Sequence, residues 1–192
     1  MRFGLGADDT RAYKWRVWRS ITGLWDLEDP GAVRVTATEQ RLEVELAGVP
    51  FLGVIDRVER AADGLVVTDY KSGRLPGSAH RQEKLEQVLL YAAAVAATGE
   101  EAPRRARLLY LGAEVIEVET SAGAMGAAVE RLAARWEEVR SCVAGAAFPA
   151  RTGPLCAWCP YVERCPEGRR EVVARYEAGM VSPDAPARRL VA

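Results

Sequence analysis

Polar and apolar positions alternate over residues 33–46, with Val33, Val35, Ala37, Leu42, Val44 and Leu46 as the apolar ones, which predicts a β-strand. Two apolar, β-branched-rich runs follow, Gly53-Val54-Ile55-Asp56-Arg57-Val58-Glu59 and Leu65-Val66-Val67-Thr68-Asp69-Tyr70-Lys71-Ser72-Gly73. Asp63-Gly64 between them reads as the turn of a β-hairpin. The period then lengthens to that of a helix over residues 80–98, through Leu85, Val88, Leu89, Ala92 and Val95, and stops at Gly99. Residues 104–111 and 115–118 form a second strand pair across Gly112, and residues 124–143 a long helix with Met125, Val129, Leu132, Ala133 and Trp136 on its apolar face. Flanking these are an aromatic and basic helix from Thr10 to about Trp25 and a charged helix over residues 168–178. Residues 1–10 and the proline-bearing stretch from Ser182 read as loose. The expected organisation is an N-terminal helical segment (1–32), an α/β core (33–148), a cysteine-bearing segment with a capping helix (149–180) and a flexible tail (181–192).

The polar residues that interrupt the hairpin carry candidate chemistry. Asp69 and Lys71 are two apart and share a face of their strand, and antiparallel pairing sets Asp56 opposite or diagonal to Asp69. Two carboxylates at that separation repel unless a cation lies between them, and a hard divalent ion such as Mg²⁺ or Mn²⁺ suits oxygen ligands. A lysine beside such an ion polarises an attacking water or neutralises a phosphate. Gln87 and Tyr91, four apart on the predicted helix, share one of its faces. Tyr13, Trp15 and Trp18 interleave with Arg11, Lys14, Arg16 and Arg19. Packing of Trp15 and Trp18 on the core is the favoured reading, and stacking on single-stranded DNA the other. Arg104, Arg105 and Arg107 either meet a DNA backbone or begin a solvated strand; Arg57 joins them as a candidate DNA contact. His80 reads as a surface residue.

Cys156-Ala157-Trp158-Cys159 followed by Cys165 has the spacing with which thiolates grip one metal centre from a tight loop, zinc or an iron–sulfur cluster. Cys142 is either a buried free thiol or a further ligand.

Composition narrows the picture. A chain of 192 residues with 49% hydrophobic and 28% charged residues is globular and long enough to bury a core. Its formal net charge of −1 does not advertise a nucleic-acid binder, so any such contact must be a local basic patch. No secretory leader or membrane-spanning run stands out, which points to the cytoplasm, where clustered cysteines are metal ligands more often than disulfides.

In combination, Asp56-Arg57, Asp69-Tyr70-Lys71-Ser72-Gly73, Gln87 through Tyr91 and the Cys156, Cys159, Cys165 series resemble the RecB-like branch of the PD-(D/E)XK nucleases. That branch includes the nuclease domains of RecB and AddB and the CRISPR-associated single-strand exonucleases that carry iron–sulfur clusters. The resemblance runs from about Glu39 to Cys165. It implies a restriction-endonuclease-like mixed sheet flanked by helices, and hydrolysis of DNA phosphodiesters in repair, recombination or CRISPR-type processing. Asp56 and Asp69 would hold the ion, with the backbone carbonyl of Tyr70 as a further ligand. Lys71 would position the water, and Gln87 and Tyr91 would orient substrate or metal water. Glu39 stands where relatives carry a glutamate that is second to the ligands or structural. Cys156, Cys159 and Cys165 would be three of the four ligands of a [4Fe–4S] cluster, and a separate helicase is a possible partner. Relatives open with a segment bearing a cysteine and a histidine ligand. Here no cysteine precedes Cys142 and no histidine precedes Asp56, so the chain reads as shortened, split or a fragment. Zinc in place of the cluster, or no centre, follows from that departure. So does a rival reading as an inactive DNA-binding or scaffold subunit, and a weaker one as a zinc-ribbon module.

Overall fold

The computed structural model describes residues 6–99 and 101–191. They form two compact units, Met1–Glu138 and Val139–Ala192. The boundary thus falls inside the long helix rather than after residue 148.

In the first unit a five-stranded mixed sheet runs β1 (Val35–Leu46), β2 (Val49–Ala61), β3 (Gly64–Lys71), β4 (Arg105–Tyr110) and β5 (Glu114–Glu119), in that spatial order. All neighbours are antiparallel except β3 and β4, which are parallel. A parallel pair needs a crossover, and helix α2 (Ser78–Ala97) supplies it. The predicted hairpin forms with Ala61 and Gly64 as its last rung, so Ala62 and Asp63 are the turn.

Helix α2 covers one face of the sheet. Leu85, Val88, Ala94 and Val95 from the helix meet Leu42, Ile55, Val58, Val67, Ala106, Leu108 and Ile116 in one buried cluster. Full burial of each Val, Leu or Ile is worth about 1.5–3 kcal/mol, which makes this layer the main support of the unit. At Gly53 a Cβ would lie 2.9 Å from the ring of Tyr91, so the absence of a side chain lets α2 settle on β2.

The sheet contains a phase break that strict alternation does not anticipate. Ala37, Leu42 and Val44 all pack into the α2-side cluster, as do Phe51, Ile55 and Val58, although a period of two cannot set odd and even positions on one face. Both strands change phase at the same rung. Glu39 has φ 47°, and the pairs Thr38–Arg57 and Gln40–Ile55 leave Glu39 opposite Asp56. Past that rung Val58 faces α2, while Arg57 and Glu59 turn to the other face.

Helix α1 (Ala7–Thr22) begins earlier than the sequence pattern suggested, and residues 1–5 of the stretch expected to be loose lie outside the described residues. Trp15 and Trp18 do not pack on the core: they are 62% and 59% exposed. Helix α3 (Ala122–Ala144) presents Arg131 and Arg135 to Glu86 of α2, at 3.3 and 3.5 Å. No described helix is long and apolar enough to cross a membrane.

The second unit holds two 3₁₀ turns (Pro154–Trp158 and Val162–Arg164), helix α4 (Pro166–Glu177) and a third 3₁₀ turn (Pro186–Leu190). Ala157, Val162, Val172, Val181, Ala185 and Ala187 form its small core. The stretch expected to be a flexible tail therefore belongs to a packed layer, because its alanines bury their methyl groups against α4 and the cysteine loop.

Candidate active site

The β2–β3 ladder ends at the pair Arg57–Thr68, and the next rung would set Asp56 opposite Asp69. There the strands part: β3 continues against β4 through the pairs Asp69–Leu108 and Lys71–Tyr110. The Asp56 carboxylate fills the fork, its Oδ2 accepting the backbone N–H of Tyr70 at 2.7 Å. A side chain thus replaces a ladder partner and holds the mouth of the fork open.

Asp69 and Lys71 share the α2 side of β3, as their spacing predicts. Lys71 Nζ lies 2.7 Å from Asp69 Oδ2 and donates to Gln87 Oε1 at 2.9 Å. Gln87 Nε2 in turn donates to Tyr91 Oη at 2.9 Å, and the Tyr91 ring meets Phe51 edge-on with centroids 6.4 Å apart. The five residues expected to act together are therefore linked, from Asp56 through the Tyr70 peptide to β3, and from Asp69 through Lys71 and Gln87 to Tyr91. A groove of about 340 Å³ runs beside Gln87 and Tyr91, walled by Phe51, Leu52, Leu90 and Arg135.

Asp69 is 4% exposed, and its Oδ2 lies 2.7 Å from the Lys71 ammonium. Burial pushes its pKa above the ordinary aspartate value; Lys71 opposes the shift and the Asp56 charge adds to it. Two carboxylates and one amine leave the site one negative charge in excess. Magnesium takes one or two carboxylates and keeps waters and substrate phosphate as its other ligands, so the Asp56/Asp69 pair fits a small divalent ion. Among the described residues no group of three His, Cys, Asp or Glu side chains is gathered closely enough to hold a metal. Glu39, exposed and opposite Asp56, does not complete such a group.

The arginines are placed otherwise than expected. Arg57 is 5% exposed on the far face of the sheet. Its guanidinium donates to both oxygens of Glu28 (2.6 and 2.8 Å), contacts Glu59 Oε2 at 2.6 Å, and hydrogen-bonds Tyr70 Oη. Arg107 completes the cluster, reaching Glu59 Oε1 at 2.5 Å, Glu28 Oε2 at 3.1 Å and Thr68 Oγ1 at 2.8 Å. The hydrogen bonds from Arg57 hold the Glu28 carboxyl below its ordinary pKa. Arg57 and Arg107 are thus occupied by carboxylates and do not face a ligand. Arg105 is half-committed too, with Asp63 at 2.8 Å and Glu117 at 3.3 Å. Arg104 remains exposed. Glu28 and Glu59 were not anticipated, although an Arg-x-Glu pair inside an apolar strand, with an arginine in the strand two places along, is the trace such a network leaves.

In the second unit Cys156 Sγ accepts the backbone N–H of Gly153 at 3.4 Å, and Cys165, capping α4, accepts that of Gly168 at 3.2 Å. Cys156 and Cys159 pack against the small core, and all four cysteines are free thiols. Cys142, Cys156, Cys159 and Cys165 are not gathered as a ligand set. As arranged, they do not fit a four-thiolate cluster. His80 is exposed, as read from the sequence.

A family model described as the PD-(D/E)XK nuclease superfamily matches residues 10–166, most of the chain, spanning the fork, α2 and all four cysteines. No curated protein matches it.

Proposed function

The chain belongs to the PD-(D/E)XK nuclease superfamily, and from that premise we propose that it is a Mg²⁺- or Mn²⁺-dependent deoxyribonuclease of the RecB-like branch. In this reading it acts as an exonuclease that prefers single-stranded DNA, in repair, recombination or CRISPR-type processing. The observation that carries the reading is the pairing of two carboxylates, Asp56 and the buried Asp69, with the single ammonium of Lys71, which leaves one negative charge uncompensated. Asp56, Asp69 and the Tyr70 carbonyl would hold the ion. When bound, it would supply electrostatic stabilisation of the phosphate and a more acidic water.

Lys71, half-buried and steered by Gln87, sets its ammonium where it can neutralise a phosphate oxygen or hold a water for in-line attack. Tyr91 fixes the Gln87 amide so that its oxygen points to Lys71. Asp56, by accepting the Tyr70 N–H, locks the angle at which β3 leaves β2 and so the distance between the two carboxylates.

Cys156, Cys159 and Cys165, with Cys142 as a fourth, would be ligands of an iron–sulfur or zinc centre. The CxxC spacing and the two N–H groups aimed at sulfur support this reading, which requires the cysteine loop to close further than it does here. Iron, sulfide and zinc content of anaerobically purified protein tests it.

Incubation of end-labelled single-stranded DNA with Mn²⁺ and either wild type or Lys71→Ala tests the nuclease. Cleavage by wild type alone is expected, and retained cleavage by Lys71→Ala sinks the assignment. A second reading, an inactive DNA-binding or scaffold subunit, is supported by the lack, among the described residues, of a third side-chain ligand beside Asp56 and Asp69. DNA binding without cleavage by either protein would select it.

A further inference from the structure

Nine residues of α1, Arg11-Ala12-Tyr13-Lys14-Trp15-Arg16-Val17-Trp18-Arg19, carry four cations, three aromatic rings and no acid, in a chain whose overall charge is close to neutral. They are exposed throughout, with Tyr13 at 53%, Trp15 at 62% and Trp18 at 59%. The helix is tied down at its C-terminal end, where a Cβ on Gly23 would come within 2.4 Å of the Gly112 backbone. It projects from there with its aromatic face uncovered by the first unit.

The arrangement on the helix is specific. Arg11 and Trp15 are four residues apart, as are Lys14 and Trp18, so each indole stands one turn from a cation on the same face. At 3.6 residues per turn, Lys14, Trp18, Arg11 and Trp15 fall within a stripe about 100° wide. Trp15, Arg16 and Arg19 also line a cleft of about 450 Å³ whose far wall is Leu111 and Gly112. Exposed indoles alone would suit any apolar partner. Indoles alternating with cations, of which Arg11 has the exposed Asp8 at 3.8 Å, suit a ligand that alternates flat apolar faces with anions, and a single nucleic-acid strand has that chemistry. The bases of a duplex present only their edges, so stacking requires an unpaired strand.

We infer that α1 is a strand-gripping platform on which single-stranded DNA stacks its bases against Trp15 and Trp18 while Arg11 and Lys14 meet its phosphates. The inference rests on the nuclease reading for its choice of DNA, yet it concerns a surface apart from the Asp56/Asp69/Lys71 fork. It gives the enzyme a hold on its substrate that does not depend on the metal site.

The test is equilibrium binding of a short oligothymidine to the full chain in the absence of divalent metal, read by tryptophan quenching and by anisotropy of the labelled strand. Wild type should bind the strand without metal. Trp15→Ala and Trp18→Ala should each weaken binding about tenfold. Arg11→Ala with Lys14→Ala should flatten the dependence of log affinity on log salt by about 0.7 for each phosphate no longer neutralised. Both indoles are exposed, so these variants should keep the wild-type circular dichroism. Undiminished binding by the tryptophan variants overturns the inference, as does failure of wild type to bind. A fall in sedimentation mass on Trp18→Ala also overturns it, because the face would then join copies of the chain. A protein that binds the strand through α1 but cleaves nothing would contradict the nuclease reading and leave this one standing.

Discussion

Strand β2 carries charge on both faces of the sheet, and the faces treat it in opposite ways. Toward α2, Asp56, Asp69 and Lys71 leave one negative charge in excess. On the far face, Glu28, Glu59, Arg57 and Arg107 sum to zero, and each carboxylate touches both guanidinium groups. Asp56 and Arg57 are neighbours in sequence, as are Asp69 and Tyr70, so one residue step separates an open site from a closed one. Folding alone accounts for the closed set, since unpaired buried charges are costly. It does not account for the open set, which is complete only when something positive arrives.

Breaking the closed face should have the largest effect. Arg57→Ala leaves Glu28 and Glu59 short of a partner in a buried setting and should cost about 3–5 kcal/mol by urea denaturation. Arg57→Met with Glu28→Leu should recover much of that loss. If Arg57→Ala instead folds normally and only weakens DNA binding, Arg57 is a ligand contact and the contrast fails. On the open face Lys71→Ala should lower cleavage by about 10²–10³-fold while the protein stays folded, as for removal of one preorganised donor.

The two faces should also respond to acid with opposite sign. Burial raises the Asp69 pKa, so in metal-free protein this group's contribution to stability is full below pH 3.8 and is lost as pH rises through its native value. Hydrogen bonds from Arg57 depress the Glu28 pKa, so its contribution is present above pH 4.5 and lost as pH falls. Asp69→Asn should therefore raise the melting temperature of metal-free protein at neutral pH, an advantage that vanishes in acid. Glu28→Gln should lower it at neutral pH and lose its penalty in acid. Parallel pH trends for the two variants would erase the distinction between the faces.

The open face was legible in the sequence and the closed one was not. Asp69 and Lys71 break an apolar run at a spacing of two, Gln87 and Tyr91 fall one helical turn apart, and the resemblance to the nuclease family joined the two pairs. The far-face partners are remote in sequence: Glu28 follows α1, Arg107 lies on β4, and their pairing with Arg57 depends on tertiary placement. The phase break at Glu39 and Asp56 hid it further, because strict alternation sends Arg57 to the wrong face. The indoles of α1 failed in the other direction. Their size predicts burial, but the first unit offers no surface to cover them, and composition alone does not reveal that.

The finest test of the contrast removes one oxygen. Tyr91→Phe deletes the acceptor of the Gln87 Nε2 hydrogen bond and keeps the ring that packs against Phe51. A net hydrogen bond is worth about 0.5–1.5 kcal/mol, so if the bond steadies Lys71 through Gln87, the variant should cleave about 2- to 12-fold more slowly. Its melting temperature should barely move, since the hydroxyl lies at the rim of the site and the buried part of the ring is unchanged. On an open face each polar link serves the position of the next group, and its loss is read in rate. On the closed face the same deletion, Tyr70→Phe, removes a partner of the buried Arg57 and should be read in stability instead.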